Sequence, residues 1–344
     1  MYEIKLIQNI NIHDFGGNIY MTKNIKRTIT VLIMVLVFGL FTGCKTFQAS
    51  DIGISTSDNI GMTKKIVDDL IKMAKSDQLK VTDLDAEGNF DTQTLHIQSL
   101  IEQECNVIAI CPVNTEEIKK SIAVANEAGI AVVVFEKSIN DDSIAFFAGY
   151  DALNEGKSAA QAIVEADDGK ENIVIEIVGP NDNQNAMDAS RGFHDLIDVI
   201  DNITVVQVYS NWNPQSTYEG MKSVLKKYPT ISAVYSSNST LDTAIDEALI
   251  EIGLLKPIGS SGHIYRVSSS GSKNGYESAV NGYVDLLLVT AAEEQAKALY
   301  DAIVLLGSGK TLESDSFVAR TYSITQDQVE INKENIWGFT SGIE

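Results

Sequence analysis

Positively charged residues are scarce in this chain of 344 residues. It carries 26 lysines and arginines against 47 aspartates and glutamates, a formal net charge of −21. A nucleic-acid partner needs clustered Lys and Arg to contact its phosphates, so this balance argues against one. The excess of carboxylates indicates a well-solvated acidic surface, which favours solubility and does not specify a function.

Cysteine is also rare, with only Cys44, Cys105 and Cys111. Cys105 and Cys111 flank the apolar run Val107–Ile110. If that run is a β-strand, the two cysteines lie roughly 20 Å apart, well beyond the reach of a disulfide. The sequence has no Cys-x-x-Cys pair and no Cys/His cluster, which argues against a structural zinc site.

The apolar run Ile29–Phe41 is too short to span a bilayer, because a spanning helix needs roughly 20 residues. Three basic residues, Lys23, Lys26 and Arg27, precede this run. The order of a basic segment and then a short apolar segment predicts an export signal. Residues 1–20 match no known signal, so we expect translation to start at Met21.

The end of this signal, Phe41-Thr42-Gly43-Cys44, resembles the lipobox of bacterial lipoproteins, although Leu is usual at the position of Phe41. The resemblance implies cleavage at Gly43 and diacylation of the Cys44 thiol. The mature protein would then be exported and anchored to the outer face of the cell membrane by a lipid on Cys44. The alternative is an ordinary secretory signal followed by an incidental cysteine.

Motifs of enzymes are missing as well. The segment Gly307–Thr311 ends like a P-loop, but the first glycine of that motif would fall at Val304. The segment Gly259–His263 differs from Gly-x-Ser-x-Gly at its last residue. The histidines His96, His194 and His263 are isolated, without metal-ligand spacing. We therefore expect no enzymatic activity, no cofactor and no metal ion.

Short apolar runs rich in β-branched residues alternate with amphipathic segments from Asp51 onward, which predicts parallel βα units. Most of these runs are continuously apolar, as expected for strands buried on both faces. The predicted strands are Asp51–Ser55, Leu79–Leu84, Val107–Cys111, Ala131–Phe135, Ile144–Ala148, Asn172–Val178, Ile203–Tyr209, Ala233–Ser236, Ile264–Val267 and Val284–Val289. The predicted helices are Met62–Lys75, Thr92–Glu104, Thr115–Ala128, Leu153–Ala166, Ala186–Val199, Thr217–Lys227, Leu241–Ile252, Asn274–Asn281 and Ala291–Leu306.

Ten strands are more than one such sheet usually holds, so we predict an α/β fold of two doubly wound parallel-sheet lobes. Residues 1–43 form the leader and 44–50 a tether. Residues 51–149 with 291–320 form the N-terminal lobe, and 150–290 with 321–344 the C-terminal lobe. Open parallel sheets bind ligands beyond the carboxyl ends of their strands, which places the site in the cleft between the lobes.

Several stretches, in this order and spacing, resemble the type I periplasmic binding proteins, the ribose- and galactose-binding receptors of ABC importers. The resemblance covers about Asp51 to Thr311. Its matching stretches are Val107–Pro112, Ile118–Phe135, Gly149–Lys157, Arg191–Phe193, Tyr228–Asn238 and Ala279–Val284. It implies two lobes that close on a hinge around a small ligand.

The same resemblance implies a set of ligand-binding residues. Trp212 stands where the family places a stacking aromatic residue, although it could instead be a surface tryptophan packed on Pro214. Glu136 and Lys137 follow a strand where ribose-type members carry Asp-Arg, although they could also be a solvated strand end. The other candidates are Asn238, Arg191, Asn185, Asp58, Ser269 and Thr290. We expect the second tryptophan, Trp337, to lie far from this cleft.

The chain also departs from the family. Arg191 directly precedes Gly192, whereas the cleft arginine of the family stands several residues earlier. Ser268–Ser270 replace the usual Gly-Phe-Asp, and the loop at Asp58 lacks paired aromatic residues. These changes do not support a carry-over of ribose or galactose specificity.

The resemblance implies a monomeric receptor that captures a small polar ligand, with a sugar as the expected class, and delivers it to an ABC permease. The alternative is a ligand-sensing receptor for a two-component or chemotaxis system. The effector lobe of a LacI-type repressor shares the fold, but the export signal and the lack of a helix-turn-helix before Asp51 argue against it.

Overall fold

The computed structural model describes residues 52–343, which contain two six-stranded β-sheets flanked by helices. The predicted signal and Cys44 lie outside these residues. The strands are β1 Ile52–Thr56, β2 Val81–Asp85, β3 Val107–Ile110, β4 Ala131–Phe135, β5 Phe146–Tyr150, β6 Asn172–Val178, β7 Ile203–Tyr209, β8 Ala233–Ser236, β9 Tyr265–Ser270, β10 Leu286–Thr290, β11 Ser316–Ala319 and β12 Thr321–Thr325.

The helices follow the strands in the expected alternation. They are α1 Gly61–Ser76, α2 Phe90–Glu102, α3 Lys119–Glu127, α4 Ala152–Ala166, α5 Gln184–Ile197, α6 Pro214–Lys227, α7 Asp242–Ile252, α8 Lys273–Val280, α9 Ala292–Gly307, α10 Val329–Asn332 and α11 Trp337–Ser341. Within the described residues, none of the helices combines the length and the apolar character needed to cross a membrane.

Both sheets are doubly wound. The first has the strand order β11-β5-β4-β3-β1-β2 and the second β12-β10-β9-β8-β6-β7. All pairs are parallel except β10 with β12. The central strands are buried on both faces by helices, which explains their continuous apolar runs. We call each sheet with its helices a lobe.

The chain passes between the sheets three times: through Tyr150–Asn172 with α4, through Thr290–Ser316 with α9, and at Arg320 between β11 and β12. Helix α9 packs on α1 and on the first sheet, whereas α4 packs on α5 in the second lobe. The predicted fold class is confirmed, whereas the exact lobe boundaries stay a prediction.

Two strands, β11 and β12, were not predicted from the sequence. Both are edge strands, and each buries only one residue fully, Ala319 in β11 and Ile324 in β12. They also follow one another with no helix between them, so they lie outside the alternation of strands and helices on which the prediction rested. Several predicted ends also shift by one to three residues, for example at β5, which extends to Tyr150.

Helices α4 and α5 approach each other closely because both carry a glycine at the contact. A Cβ atom on Gly156 would overlap the carbonyl oxygen of Ala189, and one on Gly192 would overlap that of Leu153. Cys105 and Cys111, near the two ends of β3, are buried and form no disulfide.

Candidate functional site

The carboxyl ends of the parallel strands form the candidate site, which we call the cleft. A hydrogen bond links its two sides: the Asn185 side chain on α5 donates from Nδ2 to the backbone oxygen of Glu136, after β4, at 2.9 Å. Asn185 also bonds the Tyr150 hydroxyl at the end of β5. The ends of β4 and β5 therefore face the beginning of α5 in the second lobe.

Three residues at the carboxyl ends of the strands have a strained backbone conformation. Glu136 after β4, Trp212 after β7 and Ser270 at the end of β9 all have positive φ, of 60°, 54° and 94°. Residues other than glycine rarely adopt this conformation, and such strain tends to persist where a binding site requires it. Three strand ends that carry candidate ligand residues thus share this costly feature.

Lys137 and Asp58 are the charged groups on the first lobe's side of the cleft. The Lys137 ammonium donates to Ser57 Oγ and to the Pro112 backbone oxygen, each at 3.1 Å. An ammonium has three donors, so one remains for a ligand. Burial raises the pKa of the Asp58 carboxyl, and the nearby Lys137 charge opposes that rise.

Glu136 is buried, and its carboxylate is turned toward the interior of the first lobe. It accepts hydrogen bonds from the Thr63 hydroxyl on α1 and from the Cys111 thiol, the latter at 3.7 Å. Burial raises the pKa of Glu136 and, together with the Glu136 charge, raises the pKa of the Cys111 thiol to about 12. A direct contact of this carboxylate with ligand stays a prediction. In the structure, the carboxylate accepts its hydrogen bonds from Thr63 and Cys111.

Trp212 lies half-buried at the end of β7, against the end of the neighbouring strand β6. A Cβ atom on Gly179 would overlap the indole nitrogen of Trp212. The ring also packs against the apolar core that includes Ile177 and Val208. Its Nε1 makes no hydrogen bond to another protein atom. Stacking on a ligand stays a prediction for this residue.

The remaining candidates of the second lobe differ in what they can offer. Asn238 uses its side-chain oxygen to cap the turn at Thr240, at 3.1 Å. Ser269 and Thr290 are buried at the ends of β9 and β10. Arg191 is different, because its side chain is 60% exposed and pairs with Asp188 on the same helix at 2.7 Å. The structure does not bring Arg191 to the other candidates, so its role stays a prediction without structural support.

Glu155 is a cleft-side residue that the sequence analysis missed. Its carboxylate is buried, and Thr290 donates to it at 3.1 Å. Burial raises its pKa to about 7, and the hydrogen bond from Thr290 opposes that rise. In the sequence, Glu155 looks like an ordinary acidic residue in the first turn of a helix, which is favourable there. No local signal could have revealed its burial.

Several buried polar atoms near the strand ends lack a protein partner. They are Ser55 Oγ and Thr56 Oγ1 in β1, Asn59 Oδ1 in the following loop, and Trp212 Nε1. Buried polar groups are nearly always hydrogen-bonded, so such a group calls for a ligand or a water molecule as its partner. These atoms lie in the two lobes at the ends that form the cleft.

Two cavities elsewhere in the described residues are weaker candidates for a ligand site. One cavity of about 140 Å³ lies where β10 leads into α9 and is lined by Ala291–Glu294, Tyr322 and Trp337. A shallow one of about 380 Å³ lies between α6, α7 and α8, with Tyr218 and Glu247 among its walls. Among residues 52–343, no three His, Cys, Asp or Glu side chains are grouped so that they could bind a metal ion.

Known proteins are similar to this chain in sequence and in architecture. The family model of the periplasmic binding protein domain matches residues 53–311. The ribose import binding protein of Bacillus subtilis is 24% identical over 269 residues, which cover 74% of this chain and 84% of that protein. The D-xylose-binding periplasmic protein of Escherichia coli is 26% identical over 297 residues, which cover 83% of this chain and 87% of that protein.

Solved structures agree with these sequence relatives. A galactofuranose binding protein superposes with a TM-score of 0.75 at 21% identity, covering 83% of this chain and 99% of that chain. An ABC transporter solute binding protein from Bacillus halodurans with bound myo-inositol gives 0.77 at 18% identity, covering 85% of this chain and 99% of that chain. At these identities the structures support the fold alone.

Proposed function

This chain belongs to the periplasmic binding protein domain family, and from that premise we propose that it captures a sugar in the cleft and delivers it to an ABC permease. It is a binding protein and not an enzyme, as are its named relatives. The relatives' names for ribose and xylose support a sugar as the ligand. We also propose that the protein is monomeric and anchored by a lipid on Cys44.

The observation that carries this proposal is the character of the polar groups at the strand ends. Asp58 and the remaining Lys137 donor provide charge on one side, and the other side offers neutral groups such as Ser269 and the Trp212 indole. Hydrogen bonds with a charged partner are the stronger ones and give selectivity for hydroxyl groups. This combination of groups suits an uncharged polyhydroxy compound.

Import requires that the permease distinguish the loaded from the unloaded receptor. Two lobes connected by three chain crossings can close around a ligand by hinge motion. The Asn185–Glu136 bond is a contact that such a closure would form and an opening would break. Nothing in the described residues favours a sensory role over import.

A thermal-stability screen against sugars tests the ligand class. The panel contains D-ribose, D-xylose, L-arabinose, D-galactose and myo-inositol, with gluconate and ribose 5-phosphate as charged controls. A ligand present at 100 times its dissociation constant should add about 2.7 kcal/mol of stability. Stabilisation by an anionic control and by none of the neutral compounds would contradict the proposal.

The variant Trp212→Ala tests the stacking role. Truncating an aromatic residue at the centre of a binding site commonly costs about 2 kcal/mol or more, which is about 30-fold in affinity. Tyr265→Ala is the matched control, because it removes a half-buried aromatic ring at the amino end of β9, away from the cleft. Calorimetric titration should show weaker sugar binding for the Trp212 variant only. Equal affinities would assign Trp212 to ordinary packing.

Tryptophan fluorescence is a poor readout for this experiment. The sequence analysis expected Trp337 far from the cleft, but its indole N–H donates to the Ser270 backbone oxygen at 2.6 Å. The expectation was wrong, because α11 folds back onto the end of β9. A signal from Trp337 can therefore persist in the Trp212 variant.

A further inference from the structure

The C-terminal helix α11 packs directly on the segment Ser270–Ser272, which we call the β9 loop. Trp337 is buried, and its indole N–H donates to Ser270 O at 2.6 Å. The backbone N–H of Gly338 donates to Gly271 O at 2.9 Å. The contact is so close that a Cβ atom on Gly338 would overlap backbone atoms of Ser272 and Lys273.

The β9 loop needs this support because its backbone is strained. Ser270 has a φ of 94° and Gly271 a φ of 98°, and only the second residue is a glycine. A non-glycine residue in this region costs of order 1–3 kcal/mol and persists only when its surroundings hold it. On its other side the loop is held by Ser239, whose Oγ accepts from Gly271 N at 3.1 Å and from Ser272 N at 2.8 Å.

The loop continues directly from the cleft. Ser269, a candidate ligand residue, precedes it and is fully buried in β9 beside β10. Trp337 also lines the cavity at Ala291 and Ala292, where the chain leaves β10 for the first lobe. Its apolar cluster includes Ile66 of α1. The indole therefore lies between the β9 loop and a crossing of the chain between the lobes.

We propose that Trp337 is a positioning residue of the cleft, which holds the β9 loop in the left-handed conformation that presents Ser269 and Ser270 to a bound sugar. This inference rests on the proposed function. Trp337 itself does not contact the ligand. It acts through the hydrogen bond to Ser270 O, so the ring alone cannot replace it.

The test is Trp337→Phe, which keeps an aromatic ring and removes the N–H donor. Phe339→Leu is the matched control, since Phe339 is a partly exposed aromatic residue of the same helix that contacts Tyr276. Hydrogen–deuterium exchange of the peptide 268–276 reports on the loop without any ligand. Titration with the panel sugar that most stabilises the unmodified protein reports on binding.

We expect Trp337→Phe to speed exchange in the loop peptide and to weaken sugar binding, each by about fivefold, as for the loss of one hydrogen bond. Phe339→Leu should leave both unchanged. Unchanged exchange in Trp337→Phe would overturn the inference, and so would faster exchange with unaltered affinity. A lower melting temperature with normal affinity would indicate a purely structural role and would also overturn it.

The two proposals fail in different ways. If no panel sugar binds the unmodified protein, the proposed function fails, and the presentation of Ser269 and Ser270 to a sugar fails with it, while exchange still decides whether Trp337 holds the loop. If Trp337→Phe does not fold, Ser239→Ala loosens the same loop from its other side. We expect the same faster exchange and weaker binding from that variant, and normal values for both would overturn the inference.

Discussion

Glu155→Gln should make the protein more stable at pH 8, although it removes a carboxylate that accepts a hydrogen bond. The buried carboxylate accepts a hydrogen bond from the Thr290 hydroxyl and has no cation beside it, and burial raises its pKa from 4.5 to about 7. The folded protein therefore binds this proton more tightly than the unfolded chain does. An amide of the same shape avoids the cost of burying the charge.

The magnitude follows from the two pKa values. A tenfold change in proton affinity is 1.36 kcal/mol, so ionised Glu155 costs the fold about 3 kcal/mol above pH 7. Because the pKa is raised in the folded protein, the stability that protonated Glu155 contributes is fully present below about pH 4.5. That contribution is lost as the pH rises through about 7. Near pH 5 the protonated carboxyl and the amide should be nearly equivalent.

Urea unfolding of the ligand-free protein at pH 5 and pH 8 measures this difference. Glu165→Gln is the control, because Glu165 lies on the same helix, is exposed and bonds only Gln161 among the described contacts. We expect Glu155→Gln to gain up to about 3 kcal/mol at pH 8 and little at pH 5, and Glu165→Gln to change neither. A Glu155→Gln variant no more stable than the unmodified protein at pH 8 would refute the reasoning.

Three further predictions concern other parts of the chain. Cys44→Ser should move the protein from the membrane to the soluble fraction, measured by fractionation and blotting; membrane retention after signal cleavage would contradict the lipid anchor. Gly156→Ala should lower the free energy of unfolding in urea by about 1–3 kcal/mol or more, because its Cβ would overlap Ala189 O where α4 meets α5. The control Ser158→Ala, on the same helix, should lower it little. The hydrogen bond to buried Glu176 is the main cause that raises the pKa of His194 to about 9. Protonated His194 should therefore add stability below about pH 6.5, and this stability is lost as the pH rises through about 9. His194→Gln should flatten the fall of the unfolding free energy between about pH 7 and 10, and an unchanged fall would show that other groups cause it.

The order of the strands and helices is a local property, and sequence analysis could predict it. Runs such as Ala131–Phe135 are apolar and β-branched, and they alternate with amphipathic segments, so each predicts its own element. The location of the cleft follows from the same pattern, because parallel strands place their carboxyl ends at one edge. The two edge strands β11 and β12 were missed because they are short and follow one another with no helix between them, outside the alternation of strands and helices.

The properties of individual side chains in the cleft depend on contacts between distant parts of the chain. Glu155 bonds Thr290, and Trp337 bonds Ser270, across 135 and 67 positions of sequence. Glu136 was correctly placed after β4, but its positive φ and its bonds to Thr63 and Cys111 turn the carboxylate inward. The sequence by itself determined two parallel-sheet lobes, since local polarity and β-branching decide strand formation. Only the tertiary structure decided which polar groups are buried, strained or already bonded, because burial and pKa arise from the packing of segments that are remote in the chain.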